Sequence, residues 1–385
     1  MKFTFATAGQ IRFGSGLASE MAPEVAALGT SAFVLTGSAA ARYAAIIATL
    51  TKQGLNCVTF SVTGEPTTDV ATDAVAAARH ARADLVIGIG GGSVIDTGKV
   101  VAAMLTNDGA LTDYLEVVGA GRPLQHPSVP YIAVPTTAGT GAEVTRNSVL
   151  CVPDKKVKVS MRSPFLLPGL AIVDPLLTHS MPPALTASTG LDALTQLAEA
   201  FVSNQANPLT DGLCREGLQR AGRSLRRAFE DGNDARARED MALASLFSGL
   251  ALANAKLGAV HGFAGPLGGM IDIPHGVVCG RLLPLVIEAN VRALRDRAAD
   301  SSALARHDEI ARLLTGNPSA AASDAVAWVQ QLSETFALPG LRRFGLTEAD
   351  LPTAVAKAQK ASSMKGNPIA LTEEELMSIL TGAME

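Results

Sequence analysis

An apolar run that ends in three glycines and resumes as a helix constrains this chain more than any other stretch. Residues 85–99 read LVIGIGGGSVIDTGK. The run reads as a buried strand, Gly90, Gly91, Gly92 and Ser93 as a turn, and the segment beyond Ser93 as a helix. Glycines in such a turn permit φ > 0 and close backbone approach. The helix N-terminus behind them offers free N–H groups and the positive end of a dipole, which suits a pyrophosphate. The spacing departs from GxGxxG, and a tight strand–helix crossover without a ligand is the other reading. A second turn, VPTTAGTGAEVT, sets Thr136, Thr137, Gly139, Thr140 and Gly141 at the end of another expected strand and adds hydroxyl donors. Two such turns at strand ends favour phosphate binding.

The flanking sequence alternates in the same way. Strands are expected over 31–37, 56–62, 83–91 and 130–137, and helices over 41–54 and 69–83, the rhythm of a parallel sheet covered on both faces. Residues 150–175 look like strands joined by a loop, and a strand pair is expected near residues 3–13. From residue 180 onward the chain reads as helices broken by Pro and Gly, over 182–203, 208–231, 235–255, 276–294, 307–316 and 319–336. The expectation is an α/β domain over 1–179 and an all-α domain over 180–385. Such a pairing implies a cleft between them that holds ligand and chemistry.

Composition excludes several classes. Of the 385 residues 48% are hydrophobic and 18% charged, and the net charge of −4 advertises neither nucleic acid nor an anionic membrane as a partner. No apolar run reaches membrane-spanning length and no signal-like segment opens the chain, so a cytoplasmic protein is expected. Cys57, Cys151, Cys214 and Cys279 are far apart without a CxxC pair, and read as reduced packing residues.

Two of only six histidines, His261 and His275, lie among Gly, Pro and small apolar residues in LGAVHGFAGPLGGMIDIPHG. A buried imidazole there finds a hydrogen-bond partner or binds a metal. Upstream, TGLDALTQLAEAF sets Asp192 and Gln196 at i and i+4 on one helical face. A carboxylate and two imidazoles make three ligands, with coordination positions left for a substrate oxygen. His80 ends a helix as a solvated cation, and His126, His179 and His307 are expected at the surface.

Four motifs, GGGSVIDTGK, PTTAGTGAEVT, GLDALTQLAEAF and VHGFAGPLGG…PHG, together resemble the iron-containing (group III) alcohol dehydrogenase family over nearly the whole chain. The resemblance implies an N-terminal dinucleotide-binding α/β domain and a C-terminal helical domain. It implies an NAD(P)-dependent alcohol dehydrogenase, or aldehyde or ketone reductase, in which a divalent metal acts as a Lewis acid on the substrate oxygen. It assigns Gly90, Gly91, Gly92, Ser93, Asp96, Thr136, Thr137 and Thr140 to NAD or NADP, places Lys158 near the nicotinamide ribose, and suggests a homodimer. The alternative for Lys158 is a solvated charge on a loop.

Three departures bear on that picture. The position of Gln196 is a histidine ligand in the family, so the metal set reads Asp192, His261 and His275, with Gln196 at best a weak oxygen donor. Fe, Zn, Mn and an empty site all stay open. Gly265 replaces a family histidine near the reacting centre, which removes a proton carrier and enlarges the pocket. Gly37 stands where many NAD-preferring members carry an acidic residue, so a 2′-phosphate meets no repulsion and cofactor choice is expected to be relaxed. Leu257, Phe263, Met270, Thr140 and Arg146 are expected around a small alcohol, aldehyde or ketone. Arg146 either faces an anionic substrate or pairs with a carboxylate at a strand edge. Three rival readings remain. One is a metal-independent reductase similar to maleylacetate reductase, one a lyase similar to dehydroquinate synthase, and one a dinucleotide-binding protein without activity.

Overall fold

The computed structural model describes residues 1–385. The chain forms two compact units, one of Thr7–Thr137 with Gly141–His179, the other of Met1–Ala6, Ala138–Thr140 and Ser180–Glu385.

The first unit contains β1 (Gln10–Phe13), α1 (Leu17–Glu20), α2 (Ala22–Ala26), β2 (Ser31–Thr36), α3 (Ala44–Lys52), β3 (Asn56–Ser61) and α4 (Thr68–His80). It continues with β4 (Leu85–Gly90), α5 (Gly92–Met104), α6 (Leu111–Tyr114), β5 (Tyr131–Pro135), β6 (Asn147–Val152), β7 (Val157–Arg162) and β8 (Leu170–Val173). Six strands form a parallel sheet in the order β1-β8-β5-β4-β2-β3, and β6 and β7 form a separate antiparallel pair. Every residue of β4 is buried, as expected of a central parallel strand covered on both faces. Phe33, Leu35 and Val86 pack to one side of the sheet, Val34, Ile87 and Ile132 to the other. Each such side chain contributes about 1.5–3 kcal/mol.

The strand order reverses between β2 and β4, and in open parallel sheets ligands bind beyond the carboxyl ends of the strands at such a point. Thr36 of β2 is in register with Ile89 of β4, and Gly90 with Pro135 of β5. Gly37, Gly91 and Thr136 therefore leave the sheet from three adjacent strand ends.

The strand pair expected near residues 3–13 does not form. Only β1 is a strand, and it runs parallel to β8. Upstream, the backbone of Ala6 is satisfied by an amide side chain instead. Its N–H donates to Asn254 Oδ1 at 2.7 Å, and Asn254 Nδ2 donates to its carbonyl at 3.0 Å.

The second unit is helical, with α7 (Pro183–Val202), α8 (Pro208–Glu230), α9 (Ala235–Ala255), α10 (Ala259–Met270) and α11 (His275–Arg297). α12 (Ser302–Thr315), α13 (Ala322–Thr335), α14 (Leu351–Lys360) and α15 (Glu373–Gly382) complete it. No single helix is long and apolar enough to cross a membrane. The segment between the expected breaks at 256 and 275 is itself a helix, α10, despite four glycines and an internal Pro266. Intrinsic propensity argues against it, and tertiary contacts override that. Val260, Phe263, Ala264 and Leu267 are buried in the core. The first N–H groups of α10 are taken by side chains from elsewhere: Ala259 N by Asn367 Oδ1 at 3.1 Å, Val260 N by Glu199 Oε1 at 2.6 Å and His261 N by Glu199 Oε2 at 3.3 Å. A carboxylate at a helix N-terminus is favoured by the dipole as well as by the hydrogen bonds.

Candidate active site

In the α/β unit the Gly-rich turn is a backbone site. Gly91 is the N-cap of α5 and makes no side-chain cap hydrogen bond, so the first N–H groups of the helix stay free for an anion. None of Gly90, Gly91 or Gly92 has a positive φ. Close packing is what demands glycine there, since a Cβ on Gly90 would lie 2.4 Å from Val94 Cγ2, and one on Gly91 would lie 3.3 Å from the Thr137 side chain. Gly141 of the second turn does adopt φ 58°, the left-handed region that favours glycine. Thr136 N donates to Gly90 O at 3.0 Å and ties the two turns together. A Cβ at Gly37 would meet nothing within 4 Å, so the position is open and carries no charge. These features fit the phosphates and ribose of a dinucleotide.

Two residues assigned to the cofactor are engaged within the protein. Asp96 accepts the Val149 N–H at 2.9 Å and lies 3.6 Å from Lys99 Nζ. Lys99 is fully buried and donates to Thr145 Oγ1 and the Asn147 carbonyl, both at 2.8 Å. Burial pulls the Lys99 ammonium below its ordinary value, partly offset by Asp96 and Glu143, and pushes the buried Glu143 carboxyl up to about 7. Lys158 sits on strand β7 rather than on a loop, and donates to Glu65 Oε2 at 2.9 Å.

In the helical unit, α7 presents Asp192, Gln196 and Glu199 at i, i+4 and i+7, all three buried. A polar stripe inside a core needs partners, and α10 and α11 supply them. His261 Nε2 lies 3.2 Å from Asp192 Oδ1, and His275 Nε2 lies 3.8 Å from the same oxygen. Cys279, one turn beyond His275 on α11, brings Sγ to 3.8 Å from both Asp192 Oδ1 and His261 Nε2. The donor atoms of Asp192, His261, His275 and Cys279 all lie within 4.8 Å of one another. Behind them, His261 Nδ1 donates to Glu199 Oε2 at 2.6 Å. A carboxylate offers only acceptors, so Nδ1 carries a proton and Nε2 is the atom turned to the cluster.

The electrostatics are those of a site that holds a positive charge. Burial works against the Asp192 carboxylate, but His275, His261 and Gln196 outweigh it and hold its titration below the ordinary value. Burial likewise opposes a charged His261, but Cys279, Asp192 and Glu199 outweigh it and raise the imidazole well above its usual range. Burial pushes the Cys279 thiol up to about 12. Gln196 Nε2 donates to Asp192 Oδ1 at 3.1 Å, while its Oε1 is buried without a partner. One carboxylate, two imidazole nitrogens and a thiol around a point, beside an orphaned oxygen, fit a divalent cation.

Other expectations are corrected. His307 is a core residue at 1% exposure, with Nδ1 donating to the Ala303 carbonyl at 2.7 Å; it lies on the buried side of α12. His179 is half-buried, while His80 and His126 are exposed. Leu257 and Phe263 are packed in the helical core. Arg146 is exposed and forms no ion pair. A Cβ at Gly265 would meet nothing within 4 Å, which leaves open space at that position. Sequence reasoning treated Cys279 as packing and passed over Glu199. The signal was helical spacing, i+4 from His275 and i+7 from Asp192.

Known proteins resemble this chain over most of their length. The family profile "Iron-containing alcohol dehydrogenase" matches residues 8–175, and "Fe-containing alcohol dehydrogenase family, C-terminal" matches residues 186–384. A 1,3-propanediol dehydrogenase of Klebsiella pneumoniae is 40% identical over 81% of this chain and 79% of its own. Long-chain-alcohol dehydrogenase 1 of Geobacillus thermodenitrificans is 36% identical over 96% and 94%. Among solved structures, a 1,3-propanediol oxidoreductase superposes with TM-score 0.91 at 34% identity over all of both chains. Sulfoacetaldehyde reductase from Bifidobacterium kashiwanohense, in complex with NAD+, gives 0.87 at 28% identity over 100% and 99%.

Proposed function

This chain belongs to the iron-containing alcohol dehydrogenase family, and on that premise we propose that it interconverts a small primary alcohol and its carbonyl compound with one divalent cation held by Asp192, His261 and His275. It is an NAD(P)-dependent oxidoreductase acting on CH–OH groups. The observation that carries the metal reading is the convergence of donor atoms from α7, α10 and α11, residues far apart in sequence, within 4.8 Å of one another. Asp192, His261 and His275 would hold a divalent cation, which when bound would supply Lewis-acid polarisation of the alcohol or carbonyl oxygen, and the dinucleotide would supply the hydride chemistry.

The protein's own part is orientation and charge. Asp192 places a buried negative charge at the centre of the donor set. Glu199 takes the Nδ1 proton of His261 and two α10 backbone N–H groups, so it fixes both the imidazole ring and the helix that carries it. The α5 N-terminus at Gly91 to Ser93 receives the dinucleotide phosphates, with Thr136, Thr137 and Thr140 beside the second turn. Gly37 presents no carboxylate to repel a 2′-phosphate, which supports use of NADP as well as NAD. Gly265 supplies space and no proton. Relatives named for 1,3-propanediol, long-chain alcohols and 4-hydroxybutyrate support a primary alcohol and favour no single one. β1 leaves an edge of the parallel sheet unpaired, which supports pairing of two copies there. Four unpaired cysteines suit a reducing cytoplasm.

A metal-independent reductase is the second reading, favoured by the hydrogen bond from Gln196 to Asp192, which gives the carboxylate a partner without a cation. Elemental analysis of protein purified without an affinity metal, with NADH and NADPH oxidation against a carbonyl panel before and after chelation, separates the two. About one metal per chain and activity lost on chelation are expected; full activity without metal gives the second reading.

A further inference from the structure

We propose that Cys279 is a metal ligand, a thiolate that fills the place Gln196 leaves, so that the set is Asp192, His261, His275 and Cys279. This rests on the cation-binding reading above. Three observations carry it. Sγ lies 3.8 Å from Asp192 Oδ1 and 3.8 Å from His261 Nε2, and Asp192 Oδ1 lies 3.2 and 3.8 Å from the two imidazole nitrogens. A tetrahedral site with bonds of about 2.0–2.3 Å has edges of roughly 3.3–3.6 Å, so modest adjustment closes the set around one ion. Gln196 turns its amide nitrogen, which cannot bind a cation, to Asp192, so the donor brought up to Asp192 Oδ1 and His261 Nε2 is Cys279 Sγ. Cys279 is also held in place, fully buried one helical turn from His275 on the same face of α11.

The charges balance. Metal binding replaces the Cys279 thiol proton by a metal–sulfur bond and the proton on His261 Nε2 by a metal–nitrogen bond, and releases both as H+ to solvent, with no redox change. Thiolate and Asp192 carboxylate then neutralise a 2+ ion beside two neutral imidazoles. A thiolate shifts preference toward Zn and away from the harder Fe(II) and Mn(II). Four protein ligands still admit a substrate oxygen by expansion to five-coordination.

The test is spectroscopic. The purified full-length protein is loaded with Co(II), and its near-ultraviolet absorption is read for a sulfur-to-cobalt charge-transfer band. X-ray absorption at the Zn edge is read in parallel for one sulfur scatterer at about 2.3 Å. Both signals are expected in the native chain and absent in Cys279→Ser, whose Zn affinity falls by more than the ~10–100-fold that loss of an outer hydrogen-bond partner costs. Gln196→Ala keeps both signals. Metal bound one per chain with only nitrogen and oxygen neighbours in the native chain overturns the proposal and leaves the metal-dependent function standing. Failure to bind Co(II) or Zn(II) at all overturns both. The native spectra decide without any variant, so a Cys279→Ser protein that fails to fold does not rescue the idea.

Discussion

The turn at Gly90 to Ser93 and the cluster around Asp192 are built by opposite means. The turn works through what is missing: two absent Cβ atoms and an uncapped helix end leave backbone N–H groups bare. It is built from consecutive residues, so its chemistry is local. The cluster works through side chains alone, and brings Asp192 to Cys279 across 87 residues of chain. A backbone site tolerates changes of side chain nearby but not added bulk. A side-chain site tolerates bulk in some directions but not the loss of a donor. Substitutions should therefore separate the two sites cleanly.

The largest effect is expected for Asp192→Asn, which keeps the shape and removes the charge. Loss of several kcal/mol of Lewis-acid stabilisation corresponds to about a 10³-fold fall in kcat/KM. Metal content should drop with it while the dinucleotide dissociation constant, read by calorimetry, stays put. A parallel loss of dinucleotide affinity would break the contrast between the sites.

The α/β unit also carries a titration of its own. Burial raises Glu143 from 4.5 to about 7, so the folded chain retains this proton where the unfolded chain has released it. The associated stability is complete below about pH 4.5, declines as pH rises to about 7 and is flat above, a change on the order of a few kcal/mol. Glu143→Gln should flatten the dependence of Tm on pH in that window and leave metal content unchanged. An unchanged pH slope would mean that Glu143 does not titrate there.

Smaller again is Gly91→Val. Its side chain would crowd Thr137 and cover the helix N-terminus, and loss of one or two charge-assisted hydrogen bonds raises the dinucleotide dissociation constant about 10–100-fold. Metal affinity should not move; if the dinucleotide binds as before, the phosphates dock elsewhere. The least effect is expected for Gly37→Asp, which places a carboxylate in open space and shifts the NADP/NAD preference about 10-fold toward NAD. Equal loss for both cofactors would show that position 37 does not face the ribose.

Much of this molecule is legible in its sequence. Apolar runs bounded by Gly and Pro locate β2 to β5 and most of the long helices, because burial dictates periodicity wherever an element has an apolar face. Asp192, His261 and His275 can be picked out by residue type and setting. α10 is not legible, because its glycines and Pro266 oppose a helix, and Glu199 with Asn367 caps it from distant parts of the chain. His307 is misplaced for a similar reason: position beside a helix boundary does not say which face turns inward. Lys158 and Asp96 are assigned by resemblance; the i, i+3 spacing of Asp96 and Lys99 shows one pairing in the sequence, whereas Glu65 beside Lys158 and the Val149 N–H on Asp96 are partners that spacing does not reveal.

By itself, then, the sequence determined the local chemistry of the glycine-rich turn, the change from alternating to all-helical architecture, and three residues fit to hold a cation. Those depend on neighbours along the chain, where the backbone period sets geometry. Only the tertiary structure decided that β2, β4 and β5 end side by side, that Glu199 holds His261, that Gln196 turns its nitrogen to Asp192, and that Cys279 joins the donor set. Each of these is an encounter between helices or strands whose separation in sequence carries no distance, so packing alone could settle it.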